Sequence, residues 1–564
     1  MAIPWIERNR IENSPKIYGI ASRCIHRLAM TCFFFSALNN NFLQHTLLLV
    51  CIGWGRRDVR MKKLPIFYNA LMLTGVNLLL RLVSTSFQVF ISGRIGAAGV
   101  GLLQLVLSVA SLGLTAGIAG VRTAAMYLTA EELGRKRTEN VTWVLSGCFL
   151  YSLCFSGTVG TLVYGFAPKI AADWIGDIRT LGAIRLFAVF LPVSCLTGVM
   201  TGYFTAANRI GTLAAVEVAE QLCSMAVTTT ALLFWAGEDP GRACQAVILG
   251  SCAGAALTLS VLSLLRTREK NKTGPRIPVA GRLMQTALPL AVADDIKVGI
   301  NTVENLMVPK RLVLYTPDAL AQFGIVGGMV FPILMFPACI LYALADLLIP
   351  EMARCNAAGS RVRIRYLTRR SLRVALVYGI VCGGVLYLLA EVLCMGLYEN
   401  ALAGEYLRWF ALLAPMLYCD AIIDAMNKGL GQQKICVRYN ILTSAMDVAF
   451  LFLLLPEYGM QGYFFSFLIT HVINFGFSLG LLLKTTGLRI GIRTPVLAAG
   501  SFLLAVQMGA GLPTPATKTL CFLLMGLILL SLCGILRKED GYWLLRMVGI
   551  QKKTKKANIL KNNI

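Results

Sequence analysis

The sequence predicts an all-α polytopic membrane protein of about fourteen transmembrane helices, arranged as two six-helix lobes in parallel repeat followed by two C-terminal helices. Three observations predict it. Apolar residues make up 57% of the chain, with a mean hydropathy of +0.68, well above the roughly 45–50% of soluble domains. Apolar runs of about 20 residues recur from Phe67 to Leu536, each long enough to cross a hydrocarbon layer of about 30 Å. Basic residues gather in alternate connections between those runs.

The first 60 residues hold only short apolar patches, at 30–38 and 46–54, split by Asn39, Asn40, Asn41 and His45. No secretory signal is evident in them. Met61, followed by Lys62, Lys63, Leu64 and Pro65, gives a cleaner start, so 1–60 is read as an N-terminal extension from a mis-assigned start in preference to an interfacial segment. Spans then begin near Phe67, Val100, Val141, Leu181, Leu213 and Ala243, forming an N-lobe over 61–268. A C-lobe over 269–488 has spans beginning near Leu283, Leu320, Val374, Tyr406, Cys436 and Tyr463. Helices thirteen and fourteen, beginning near Val496 and Leu520, occupy 489–537, and 538–564 is a basic tail.

The loop charges test this count, because a wrong number of spans would scramble their alternation. Even-numbered connections carry Arg135, Lys136 and Arg137, then Arg266, Arg268, Lys270, Lys272 and Arg276, then Arg361, Arg363, Arg365, Arg369 and Arg370. Lys484, Arg489 and Arg493 keep the parity, as do Lys552, Lys553, Lys555 and Lys556 of the tail, whereas the connections near Glu399 and Glu457 carry almost none. Both ends of the core are therefore predicted to be cytoplasmic. The same loops account for the net charge of +25, so nucleic acid is not an expected partner.

An internal repeat supports two lobes. Arg185, Phe187, Ala188 and Pro192 of the fourth helix recur as Arg408, Phe410, Ala411 and Pro415 of the tenth, and Arg94, Gln104 and Glu131 are echoed by Arg311, Gln322 and Glu351. Six is an even number, so both lobes keep one orientation, the pattern of parallel-repeat transporters with a site between lobes.

Polar residues inside spans mark that site. Thr74, Asn77, Arg81, Ser84 and Gln88 form one stripe on the first helix, with Arg81 near the bilayer midplane, where a charge costs at least roughly 2.5–3.5 kcal/mol. Asp294, Lys297, Asn301, Glu304 and Asn305 repeat it on the seventh. These stripes and Arg122 are expected to line a substrate cavity, with Asp294, Asp295 and Glu304 as candidate ion-coupling groups. A local Asp294–Lys297 ion pair, or Arg122 snorkelling to the interface, are the plainer alternatives. Glu217, Glu220, Asp346, Asp420, Asp424 and Asp447 are read as structural or interfacial acids in preference to coupling groups. Pro309, Pro332, Pro337 and Pro350 interrupt the seventh and eighth helices.

No phosphate-binding loop of the P-loop type occurs, the seventeen cysteines include no Cys-x-x-Cys pair, and the three histidines lie outside both stripes. Neither enzymatic activity nor a cofactor or metal is expected.

The stretch from Asn69 to Arg137 resembles stage V sporulation protein B-like polysaccharide flippases. It does so through Leu80-Arg81, Ser92-Gly93-Arg94-Ile95-Gly96, Gly101-Leu102-Leu103-Gln104-Leu105 and Ala130-Glu131-Glu132-Leu133. Ala287-Leu288-Pro289, Asn301-Thr302-Val303-Glu304-Asn305, Val308-Pro309 and Lys428-Gly429-Leu430-Gly431-Gln432-Gln433 extend the resemblance over nearly everything after Met61. It implies the fold of the multidrug/oligosaccharidyl-lipid/polysaccharide (MOP) superfamily, which includes MurJ-type lipid II flippases and MATE drug exporters. MurJ-type proteins carry an arginine-aspartate pair where this chain has Phe87-Gln88, a departure that bears on lipid II as substrate.

The implied function is flipping of an undecaprenyl-pyrophosphate-linked sugar, a peptidoglycan or polysaccharide precursor, by alternating access. Arg81 and Arg122 would draw in the pyrophosphate, and helices thirteen and fourteen would guide the lipid tail. The implied partners are membrane lipid and cell-wall synthesis proteins, with a role in sporulation. A MATE-type cation-coupled multidrug antiporter is the alternative. A membrane glycosyltransferase is disfavoured by the short external connections.

Overall fold

In the computed structural model, residues 66–534 are described apart from 136, 238, 268–278, 489–492 and 533. The extension, the basic tail, Lys136, Arg268, Lys270, Lys272, Arg276 and Arg489 lie outside the described residues, as do the side chains of Thr74, Asn77 and Arg81. Every regular element among the described residues is helical. The N-lobe comprises α1 (Ile66–Ile118), α2 (Val121–Gly134), α3 (Val141–Lys169), α4 (Leu181–Ala206), α5 (Ile210–Ala231) and α6 (Pro240–Thr267). The C-lobe comprises α7 (Ala280–Leu312), α8 (Ala319–Ile325), α9 (Phe331–Met335), α10 (Ala338–Ala357), α11 (Arg361–Tyr398), α12 (Ala401–Ala411), α13 (Ala414–Gly429) and α14 (Gln433–Thr486). A final hairpin, α15 (Arg493–Ala510) and α16 (Pro515–Leu532), follows.

Two helices exceed fifty residues, and each reverses at a glycine with positive φ: Gly96 in α1 (φ 69°) and Gly459 in α14 (φ 54°). Packing proves the reversals. Gly328 lies against both Gln88 and Val100, which a straight helix would hold about 18 Å apart. Asp447 bonds to Ser466 and Thr470, roughly 30 Å away in a straight rod. Eight helices are long and apolar enough to cross a membrane, or ten when the bent pairs at Pro337 (62°) and Leu412–Leu413 (57°) each count as one span. With the two reversals and the more polar α7 and shorter α15, the chain makes fourteen helical passes among the described residues.

The helices start close to the predicted positions, with one clear exception. α11 begins at Arg361, well before Val374, because its arginine-rich first turns favour helix while carrying no apolar signal. The eighth and tenth passes break rather than run straight. At the first break, which falls at Pro337, the Leu334 carbonyl accepts a hydrogen bond from Tyr418 (2.6 Å), satisfying a group that the bilayer leaves unpaired, and the Pro337 carbonyl accepts from Tyr378 (2.8 Å) as well as from the Ile340 N–H. The repeat-related prolines behave differently: α4 runs unbroken through Pro192, whereas Pro415 sits at the start of α13 just past a break.

Small residues set the close contacts. Gly101 and Gly324 bring the second arm of α1 and α8 backbone to backbone across the lobes, the packing expected where lipid offers no hydrophobic drive between helices. α15 and α16 pack on α11 through Phe502, Phe522, Ile380 and Leu388. Large apolar side chains such as Leu150, Val189, Phe234 and Leu453 point outward. Two arginines at odd connections are paired with acids: Arg242 stands 3.8 Å from Asp239, and Arg179 bonds Asp177. The Arg179 side-chain bonds, helped by its backbone N–H and against the effect of burial, hold the Asp177 carboxyl below the usual carboxylate range.

Candidate functional site

α7 is the element that joins the lobes. Val279 before it and its early residues Leu283, Ala287 and Ala291 share an apolar cluster with Val121, Leu128, Val141 and Phe204 of the N-lobe. This close approach needs Gly120, whose φ of 71° starts α2 directly against the Ala287 backbone; Tyr151 supports the break by donating to the Ala119 carbonyl (3.2 Å). Arg282 then ties α7 to the end of α2, bonding Glu131 and Glu132, the latter at 3.0 Å. Past midlength, Thr302 and Asn305 donate to the carbonyl and hydroxyl of Ser108 on α1 (3.2 and 3.0 Å). The same turns present Lys297, Asn301 and Glu304 to α14.

There α7 and the two arms of α14 enclose a polar cavity of about 380 Å³. Lys297, Asn301, Glu304 and Asn305 line one wall; Asn440, Thr443, Ser444 and Asp447 line the second; Phe467, Thr470, His471 and Asn474 line the third. Asp447 is buried, and its Oδ1 accepts from the hydroxyls of Ser466 and Thr470 (3.2 Å for the latter). Glu304 is in hydrogen-bonding contact with Asp447. His471 stacks on Phe467 with centroids 3.7 Å apart, and its Nδ1 lies 2.9 Å from the Phe467 carbonyl. A carbonyl can only accept, so that bond puts the proton on Nδ1 and leaves Nε2 as an acceptor. The Oδ1 of Asn474 is buried without a partner.

Two carboxyl groups in contact inside a membrane protein repel strongly unless a proton or cation lies between them. Beside Lys297, His471 and Phe467, the remaining lining is amide and hydroxyl groups, whose oxygens with the two carboxyls are donors suited to a hard cation. Among the described residues no group of three or more His, Cys, Asp and Glu is placed to hold a metal ion.

The structure distributes the predicted site residues over three surroundings. Lys297, Asn301 and Glu304 meet in the cavity. Asp294 is exposed and forms no ion pair with Lys297 among the described residues, while Asp295 is half-buried with its Oδ1 unpartnered. On α1, which carries Asn77 and Arg81, Ser84 bonds its own helix at Leu80 (2.8 Å), and Gln88 lies beside Gly328 with its amide nitrogen unpartnered. Arg122 is exposed at the start of α2 and interacts electrostatically with Glu217; the neighbouring Glu220 accepts from Thr258 (2.7 Å).

The cavity walls contributed by α14 were not singled out as a set from sequence. The signal is there: 440, 443, 444 and 447, and again 467, 470, 471 and 474, follow the i, i+3, i+4, i+7 spacing of one helical face.

Two lobes of helical passes, two broken passes and a final hairpin make a MATE/MurJ-like fold. A lipid II flippase MurJ in an inward closed conformation superposes with a TM-score of 0.60 at 13% identity, covering 82% of this chain and 98% of that one. An inward-facing multidrug MATE transporter of the MOP superfamily superposes at 0.57 with 12% identity, covering 74% and 95%. No family model matches. In sequence, the chain is a distant homologue of stage V sporulation protein B of Bacillus subtilis (strain 168), 23% identical over 428 residues, 71% of this chain and 80% of that protein. It is also 25% identical over 187 residues to the probable multidrug resistance protein NorM of Rhizobium meliloti (strain 1021), spanning 31% of this chain and only 38% of that protein.

Proposed function

We propose that the protein flips or exports undecaprenyl-pyrophosphate-linked sugars by alternating access of its lobes, serving peptidoglycan or polysaccharide synthesis in the bacterial cell membrane. The observation that carries this reading is the hairpin outside the two lobes. α15 and α16 seal against α11 on one side and leave Leu503, Leu504, Leu520 and Leu524 exposed on the other, an apolar path along which a polyprenyl chain can stay in lipid while its head group enters the polar interior. Homology to a sporulation protein supports a cell-wall substrate. The broader coverage by the lipid II flippase than by the exporter, 82% against 74%, points the same way.

In this reading Arg81 and Arg122 attract the pyrophosphate through charge-assisted hydrogen bonds, and Glu304 with Asp447 exchanges a proton or monovalent cation during the cycle. The test is translocation of a labelled undecaprenyl-pyrophosphate sugar in proteoliposomes. Transport by the unaltered protein that is lost in Arg81→Ala and Arg122→Ala supports it; no transport by well-folded unaltered protein refutes it.

The acidic cavity and the partial match to NorM favour a second reading, cation-coupled drug export. Dye efflux abolished by Glu304→Gln, with no lipid-linked sugar transport, would establish that one instead.

A further inference from the structure

We propose that the first turns of α11 are a binding surface for anionic phospholipid headgroups, independent of whichever substrate the lobes transport. α11 has 38 residues, about 57 Å of helix against a hydrocarbon layer of about 30 Å. Its arginine-bearing end therefore runs outward from the hydrocarbon edge through the headgroup layer. Between Glu351 and Arg373 the chain carries seven arginines and this one acid. The acid is already occupied: Glu351 lies 2.6 Å from Arg363 and 3.7 Å from Arg354.

Arg361, Arg365 and Arg369 are all exposed and have no ion-pair partner among the described residues. Their four-residue spacing puts them on one face. Beside them on the helix surface, Val362 is 78% and Tyr366 51% exposed, while the adjoining face, Ile364, Leu367, Thr368 and Ser371, is buried.

A topology signal needs only basic residues somewhere in the loop. Here Arg361, Arg365 and Arg369 form a single exposed row along a rigid helix, running outward from the hydrocarbon edge, so that successive guanidinium groups are offered to headgroup phosphates. Guanidinium groups grip phosphate oxygens bidentately. Charge complementarity commits the surface to anionic phospholipid of the leaflet facing this basic end of the bundle.

The experiment counts phosphatidylglycerol retained by the purified full-length protein after exchange in mixed micelles with phosphatidylcholine, by mass spectrometry at fixed ionic strength. The proposal expects apparent affinity to fall about fivefold for each arginine removed in Arg361→Gln, Arg365→Gln and Arg369→Gln, and to be largely kept by the corresponding lysine changes. Glu351→Gln, which frees Arg363 and Arg354, should raise retention. A well-folded triple glutamine variant that retains phosphatidylglycerol as the unaltered protein does overturns the proposal, as does equal retention of phosphatidylcholine.

Discussion

Glu304 of α7 and Asp447 of α14 meet carboxyl to carboxyl in the polar cavity that joins the seventh, eleventh and twelfth passes. Two like charges in contact cost stability, so their persistence calls for a function. Glu304→Gln removes the repulsion and lets the amide donate to Asp447; the thermal midpoint of the purified protein is expected to rise. Transport driven by a proton or sodium gradient is expected to fall by about 5–150-fold, the span of a coupling energy of about 1–3 kcal/mol. A lowered midpoint, or transport unchanged across gradients, would count against a coupling role.

Lys297 stands on the same face of α7, exposed and without an ion-pair partner among the described residues. Its charge competes with a cation for the two carboxylates. Lys297→Met is therefore expected to lower the half-saturating concentration of the coupling cation severalfold, read from initial transport rates. A raised half-saturating concentration would show instead that Lys297 supports binding.

Local pattern and long-range packing divide what the residues alone reveal. The passes are readable because an apolar run of bilayer length has few other uses; only the first turns of α11, before Val374, escape, because their arginines favour helix without being apolar. The α7 wall of the cavity is legible for the same local reason, as Lys297, Asn301 and Glu304 share a face. The opposing walls carry equally regular spacing. What the sequence does not encode locally is that Asp447, taken singly as one more structural acid, lies against Glu304, nor that His471 closes the same cavity. Those contacts depend on the reversal at Gly459 and on α7 leaving its own lobe to pack with α2.

Arg282 supplies a stability test with two arms. Glu132 is 1% exposed and held by Arg282 and by Asn140 (3.0 Å), whereas Arg135 only meets the partly exposed Glu131 near the surface. Arg282→Ala leaves a buried carboxylate with one neutral partner. The expected cost is about 2 kcal/mol, less than the ~3–5 kcal/mol of a fully buried pair because the guanidinium is 38% exposed. Arg135→Ala should cost roughly 0–1 kcal/mol. Equal losses in thermal unfolding would mean that Glu132 is not anchored through Arg282.

The broken eighth pass rests on two tyrosines. Tyr418 is fully buried, and its hydroxyl meets the Leu334 carbonyl at 2.6 Å. Tyr418→Phe keeps the ring and strands that carbonyl, at an expected cost of about 1–3 kcal/mol. Tyr378→Phe leaves the Pro337 carbonyl its bond from the Ile340 N–H, so its cost should be smaller. Unfolding measured for both variants checks the order; a larger loss from Tyr378→Phe would reverse the assignment of which bond holds the break.

The two reversals differ in what surrounds them, and that difference is measurable. At Gly96 a Cβ would meet nothing within 4 Å, whereas at Gly459 it would lie 2.5 Å from the Tyr315 ring. Both glycines adopt backbone angles that other residues reach only with strain, of order 1–3 kcal/mol. Gly96→Ala should cost only that much. Gly459→Ala should cost more, and the excess should be steric. Tyr315→Ala in the Gly459→Ala background is therefore expected to recover the steric part and leave a loss close to that of Gly96→Ala. A double variant no more stable than Gly459→Ala alone would show that the ring is free to move aside, and that backbone strain accounts for the whole penalty at the turn between the two arms of α14.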